Sequence, residues 1–437
     1  MSRCFSAPLL HNDFPLFRAV EEEVAKNISP NVRSRFNTVV AHQAITSSIA
    51  LVPNQAPTTR VSEDGMHITH RQTHLDIERW REGHLRLCDE VEKEIEAICH
   101  SQDFGLSIPD WVPDDWADRS QGYSWTKNGT FLDDERCLIK FLLLDQSSNL
   151  AVVNGNGCLV FNTVAVQDIL KKCDSVNRKL ALLTLCTAGQ LSRITEFVDH
   201  QFTNSIRGRA LFRDGKDIWI VTRRTKTEGV TGKESFIPIK CHPRLTRALE
   251  KYLLIIRPLE KELAYLLNGK EAYQIYSRNL WIQDCKITTE DVMYKHVENY
   301  LNTYCGVDAG IRVYRQLCVE IGRVFLGSEF ELELDESDVL ANQMGHTAKT
   351  ARVHYANEVC HLPAMSSDLL LRYGRASEAW WKVIGFGLKP GAAPTLPLRQ
   401  RRKFLQDNNA TLLEEIKSLQ ETVRLLNLRL SHSSTLR

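Results

Sequence analysis

At 437 residues the chain exceeds what one small core organises, and at roughly 150 residues per domain it accommodates two or three units. Its 43% hydrophobic and 25% charged residues exclude a largely disordered chain. Fifty-five Lys plus Arg against 54 Asp plus Glu leave the net charge near zero, so bulk electrostatics name no partner. The charge is unevenly placed, however. Residues 103–136 carry eight acids and three bases, whereas residues 201–251 carry twelve bases and five acids. The basic stretch is either a nucleic-acid face or a solvated surface.

The first residues, MSRCFSAPLLHNDF, lack the apolar core of a signal peptide, and no apolar run approaches the ~18 residues that cross a bilayer. Twelve cysteines form no C-x-x-C pair and keep no zinc-finger spacing with histidine. An intracellular protein with reduced thiols and no metal is expected. Residues 1–72 show a short helical pattern around Phe14 to Ile28, then a Ser/Thr/Pro/Asn-rich stretch from Thr46 to Arg60, which predicts a poorly ordered arm. From Thr73, read as an N-cap, Ile77, Trp80, Leu87, Val91, Ile95 and Ile98 recur on one helical face. They predict a helix of about seven turns at the centre of a helical N-terminal domain, residues 73–134. The Pro/Asp/Trp-rich segment Ile108 to Gly129 reads as a linker.

Over residues 135–389 helical stretches are predicted at Val164 to Thr187, Arg244 to Leu267, Thr289 to Cys305 and Ile311 to Leu326. Asp217 to Thr222 and Ser235 to Ile239, with a Gly-containing turn between them, predict a β-hairpin. The fold class expected is mainly α with a small β-hairpin or sheet. Residues 390–403, with Pro390, Gly391, Pro394 and Pro397, read as a Pro/Arg-rich linker. Its Arg399, Arg401, Arg402 and Lys403 are either a nuclear localisation patch or the solvated start of the next helix. Over residues 404–431 Leu405, Leu412, Leu419 and Leu426 repeat every seven residues, and Asn409, Ile416, Val423 and Leu430 occupy the other core position. This pattern favours a parallel two-stranded coiled coil; the alternative is one amphipathic helix docked on its own domain.

Four short motifs carry chemistry-bearing side chains. In Ala188-Gly-Gln-Leu-Ser-Arg-Ile-Thr-Glu196 a helix ends at glycine and a new one places Arg193 three residues before Glu196, within ion-pair reach. Arg223-Arg-Thr-Lys-Thr227, continuing to Gly232-Lys233, sets basic residues at a hairpin tip, where an ammonium can meet phosphate or protonate a leaving oxygen. Arg312-Val-Tyr-Arg315 opens a helix, and its guanidinium fork can share a phosphodiester with Arg193. In Met344-Gly-His-Thr-Ala-Lys-Thr-Ala-Arg-Val-His-Tyr355, Gly345 ends a helix and Thr347 caps the one that carries Tyr355. Taken singly, each motif also reads as an ordinary surface pair, a solubilising turn or a packed aromatic.

In this order the four motifs resemble the catalytic domain of the tyrosine recombinases, the phage-integrase superfamily, over residues 135–389. The match is Arg193 and Glu196 to Arg-x-x-Glu, Lys226 to the hairpin lysine, Arg315 to the second arginine, and Gly345-His346 to the pair nine residues before the nucleophile, Tyr355. The chain departs where the family's H-x-x-R box begins: Arg312 stands for histidine, with Tyr314 beside the arginine. An acidic insert around Glu329 to Asp338 lengthens the next interval. These departures and Trp380-Trp381 are similar to eukaryotic, especially fungal, Crypton-type mobile-element recombinases.

The resemblance implies a nuclear enzyme that cuts and rejoins double-stranded DNA through a 3′-phosphotyrosyl link, without cofactor. Arg193, Lys226, Arg315, His346 and Tyr355 would be catalytic, and Glu196, Arg312 and Tyr314 supporting. Arg223, Arg224, Lys233, Lys349 and Arg352 would contact DNA, with the helix after residue 73 either as the other jaw of a clamp or as a protein contact. Dimers through the coiled coil suit a family that pairs two DNA sites with four subunits. Two other readings stay open: a catalytically silent DNA-binding descendant, and a topoisomerase IB-like relaxing enzyme, which needs no zipper.

Overall fold

The computed structural model describes residues 58–189, 191–206, 208–222, 237–327, 367–388 and 392–404. Three short antiparallel strands, β1 (Thr59–Val61), β2 (His67–His70) and β3 (Thr73–Asp76), pair in the order β1-β2-β3. Ile68 stands opposite Leu75, and both are buried. The helix α1 follows as Ile77–Ile98, capped by the Asp76 carboxylate, which accepts from the Arg79 amide at 2.9 Å. Thr73 is therefore a strand residue and not the N-cap. Its run to Asp76 pairs with β2 across a two-residue turn, a strand ladder that helical spacing further along does not reveal. The apolar face of α1 is the expected one, with Ile77, Trp80, Leu87, Val91, Ile95 and Ile98 all buried.

That face packs on α3 (Thr163–Thr187), whose N-terminus is capped by Asn162 accepting from the Val164 amide. A shorter helix, α2 (Cys137–Leu144), and a hairpin of β4 (Ala151–Val153) and β5 (Leu159–Phe161) precede it. Gly83 of α1 admits close approach: a Cβ there would lie 2.6 Å from the Tyr304 carbonyl oxygen.

The Ile108 to Gly129 segment is not a linker. Val112 and Trp125 are buried, and Trp116 donates to the Arg213 carbonyl at 2.9 Å. Asp114 forms a fully buried ion pair with Arg209 at 2.6 Å and accepts the Arg213 amide at 2.8 Å. Arg209 also lies over the Tyr123 and Phe212 rings. Burial raises the Asp114 pKa and lowers that of Arg209, against the pull of each partner. Losing one member leaves the other charge stranded without water. Asp114→Asn is expected to cost about 3 kcal/mol of unfolding free energy, read from the urea midpoint.

The predicted hairpin gains a third strand. β6 (Leu211–Asp214), β7 (Asp217–Thr222) and β8 (Ile237–Lys240) form an antiparallel sheet in that order, with Ile220 opposite Leu211 on one side and Ile239 on the other. α5 (Pro243–Lys251) starts at His242, whose ring accepts from the Leu245 amide, and runs through a π-turn (Tyr252–Ile256) into α6 (Arg257–Tyr276). A two-residue pair, β9 (Ile282–Gln283) and β10 (Lys286–Ile287), leads to α7 (Glu290–Tyr300) and a second π-turn (Leu301–Cys305). α8 (Ile311–Phe325) and α9 (Ser367–Ile384) complete the elements among the described residues, which are mainly helical with small antiparallel sheets. No helix among them is long and apolar enough to cross a membrane.

One apolar cluster runs from Ile68 in β2 through α1, α3, α5, α7 and α8 to Trp380 and Phe386, so no break in the core separates residues 73–134 from the catalytic-domain segment predicted after them. The described part of 390–403 is docked as well. Arg81 donates to the Thr395 carbonyl at 2.6 Å, Gln400 to the Asp64 carbonyl at 2.8 Å, and Arg401 to the Phe325 carbonyl, so Arg401 is not part of a wholly solvated basic patch. The N-terminal arm up to residue 57 and the heptads from Leu405 onward lie outside the described residues.

A second buried polar group links α3 and α6. The Tyr252 hydroxyl donates to Glu260 at 2.7 Å, Arg257 lies 3.3 Å from the same carboxylate, and Asp174 accepts the Asp284 amide at 2.9 Å. Burial pushes the Asp174 carboxyl up to about 6. An acid raised in the folded state opposes folding once ionised. Its penalty is absent below its unfolded pKa and complete above about 6. Asp174→Asn is therefore expected to stabilise the protein by about 2 kcal/mol at pH 8, with the gain vanishing near pH 4, in urea titrations at the two pH values.

Candidate functional site

The site is built where α3 ends. The Thr187 hydroxyl donates to the Leu183 carbonyl at 2.6 Å and lies 3.1 Å from the buried His242 ring, which stacks on Phe386. Ala188 follows, and its carbonyl accepts the Trp381 indole N–H at 2.9 Å. Leu191 and Ile194 are buried on either side of Arg193. The short helix α4 (Ile194–Phe197) begins there with Arg193 as its N-cap residue. The expected ion pair is present: Arg193 Nη1 donates to Glu196 Oε1 at 3.2 Å, with the carboxylate side chain 7% exposed and the guanidinium 28%.

α8 supplies the second arginine. Its N-terminal half is fixed by Tyr314, which is fully buried and accepts the Trp80 indole N–H at 2.9 Å. The His84 ring lies 3.3 Å from the same hydroxyl, and its other nitrogen is bonded to Tyr300. Burial holds the His84 pKa down at about 3, so the ring is neutral at physiological pH. Arg315 is turned differently. Its pKa is lowered first by burial, then by the charge of Arg193, while Glu196, then Cys318 and Tyr294, pull it back up. Arg193 and Glu196 thus lie within electrostatic reach of Arg315, although it is far from them in the chain. A guanidinium stays protonated under such pressure, so the two positive charges persist.

Of the sequence-predicted residues, the structure therefore pairs Arg193 with Glu196 and sets both within electrostatic reach of Arg315. Arg312 is exposed one turn before Arg315 on α8. Tyr314, expected as a supporting residue beside the arginine, is instead a core residue whose hydroxyl is engaged by Trp80 and His84. Lys226, His346 and Tyr355 lie outside the described residues, as do Arg223, Arg224, Lys233, Lys349 and Arg352. Sequence reasoning missed the part Trp381 plays in fixing Ala188.

Chemically, two guanidinium groups beside one buried carboxylate make a receptor for an oxyanion with two free oxygens, such as a phosphodiester. No group of three or more His, Cys, Asp or Glu among the described residues gathers to hold a metal ion. No family model, curated protein or solved structure matches the chain.

Glu196 offsets the mutual repulsion of the two arginines. Glu196→Gln is expected to lower stability by about 1–3 kcal/mol, with most of the loss recovered on adding inorganic sulfate. Thermal melts with and without sulfate measure both effects.

Proposed function

We propose that the protein is a DNA strand-transfer enzyme of the tyrosine recombinase type, which breaks and rejoins a phosphodiester through a covalent phosphotyrosine. The observation that carries this reading is the meeting of Arg193 and Arg315 around Glu196. In this reading the two guanidinium groups, from distant segments, would serve as a receptor for a single diester. The order of the remaining motifs supplies the other roles.

In this reading Arg193 and Arg315 each hold a non-bridging oxygen of the scissile phosphate and stabilise the charge that grows on five-coordinate phosphorus. Glu196 orients Arg193 and His346 donates a further hydrogen bond. The Tyr355 oxygen attacks in line, forming the bond to phosphorus as the bond to the 5′-oxygen breaks. The products are a 3′-phosphotyrosyl link and a 5′-hydroxyl. A free phenol has a pKa of about 10, so neighbouring guanidinium charge must ease its proton loss. Lys226 gives its proton to the leaving 5′-oxygen. The diester energy is kept in the tyrosyl bond, so attack by a 5′-hydroxyl reverses the steps and needs no nucleotide cofactor.

Arg223, Arg224, Lys233, Lys349 and Arg352 belong in this reading to the DNA backbone contacts. The heptads of residues 404–431 would pair two copies, and the assembly would act in the nucleus on a mobile element's DNA. The test uses nicked suicide duplexes drawn from a randomised library. Wild type is expected to yield a protein–DNA adduct whose peptide maps to Tyr355, and Tyr355→Phe is expected to yield none. Equal adduct from both proteins would sink the proposal.

A further inference from the structure

Residues 146–167 carry no Asp, Glu, Lys, Arg or His, although 25% of the chain is charged. They hold the β4–β5 hairpin and the first turn of α3. Val152 and Val153 on β4 are 57% and 67% exposed, Leu159 and Val160 on β5 47% each, and Leu144 and Val164 on the flanking helices are open as well. The turn is stiffly made: the Asn154 side-chain oxygen accepts from the Asn156 amide at 3.0 Å and the Cys158 amide at 2.9 Å. The Asn162 amide donates to the Leu150 carbonyl and the Asn154 amide to the Cys158 carbonyl, both at 2.9 Å. Alternation along the ladder then turns the backbone groups of Ala151 and Val153, and of Leu159 and Phe161, away from the hairpin. No third described strand pairs with either edge. Such edges are normally guarded by Lys, Pro or a bulge, and two strands alone make a marginal sheet. Ala151–Val153 has no such guard.

Charge selects the occupant. Asp145 and Asp168 bracket the neutral run, which disfavours nucleic-acid phosphate and an anionic lipid surface. A two-fold contact sets a surface against its own copy, so charge there repels and a neutral edge is its own complement. The exposed apolar side chains offer up to roughly 1,200 Å² across two copies, the lower end of specific interfaces. We propose that β4 pairs antiparallel with β4 of a second copy across a two-fold axis at Val152, joining two hairpins into one four-stranded sheet. β4 is the more open strand, whereas Phe161 of β5 packs partly on the core. Ala151 and Val153 exchange hydrogen bonds with their counterparts Val153 and Ala151. Val152 meets its own copy as a non-hydrogen-bonded pair, with Cα atoms about 4.5 Å apart. This contact is separate from the heptads of residues 404–431 and does not rest on the diester site.

The test uses the full chain. With oxidised glutathione, the Val152→Cys variant is expected to form a symmetric disulfide between two copies, mapped by mass spectrometry, because such a pair lies within disulfide reach. Val160→Cys, on β5, is expected to form none. Val153→Pro removes an N–H that the hairpin itself does not use, so β4 keeps β5 and loses the second copy. In a Leu412→Lys, Leu419→Lys background, which takes out the heptad pairing, sedimentation equilibrium is expected to show a dimer of micromolar dissociation constant, raised at least about tenfold by Val153→Pro. The inference is overturned if that background protein is monomeric at about 100 μM, if Val153→Pro dimerises as tightly, or if the two cysteine variants cross-link alike. Monomers whose Ala151 and Val153 amides resist hydrogen exchange overturn it as well, since another part of the same chain then holds the edge. Loss of the Tyr355 adduct with β4 pairing intact removes the recombinase reading alone, and a normal adduct from a protein without that pairing removes only the interface.

Discussion

Two buried indole N–H groups hold the arrangement on which the candidate site depends. An indole donor in an apolar interior must find an acceptor, and the acceptor it finds fixes whatever carries it. Trp80 on α1 donates to Tyr314, which sets the rotation of α8 and, one residue later, the direction of Arg315. Trp381 on α9 donates to Ala188, which anchors the segment leading to Arg193. Trp80 also packs edge-on against Trp380, the chain neighbour of Trp381. The segments that carry the two arginines are thus held from behind by buried residues.

This design answers the repulsion between like charges. Two guanidinium groups left on flexible surface stems would separate, and their field would be spread and screened. Here one is tied by a carboxylate that is itself nearly buried, and the other rises from a helix locked against α1. The charges are organised before any anion arrives, so little reorganisation is needed when one does. The same economy governs the strap over the β6-β7-β8 sheet, where Asp114 matches Arg209 completely out of water.

Much of the helical framework was legible because burial follows a 3.6-residue period. Thr163–Thr187, Ile311–Phe325 and the strand Asp217–Thr222 fall within a residue of where the pattern puts them. The Arg193–Glu196 pair was legible from its spacing. What failed depended on pairings that helical periodicity does not show. Asp114 looks like any acid of a polar linker until Arg209, distant in the chain, is brought to it, and Thr73 looks like a cap until the adjacent β2 folds back on it. Tyr314 was grouped with Arg315 by adjacency, yet neighbours on a helix diverge by about 100°, so the two side chains serve different faces.

The π-turn at Tyr252–Ile256 places one surplus residue between α5 and α6, and that at Leu301–Cys305 closes α7 at Gly306. Excising a single residue from the first would turn everything beyond it by about 100°. Arg257 and Glu260 would swing away from Tyr252, and Leu263 would leave the interior. Substitutions at these bulges are a matter of fit, whereas a change of reading length is a change of phase. The core around Tyr252 is therefore far more tolerant of altered letters than of a lost one.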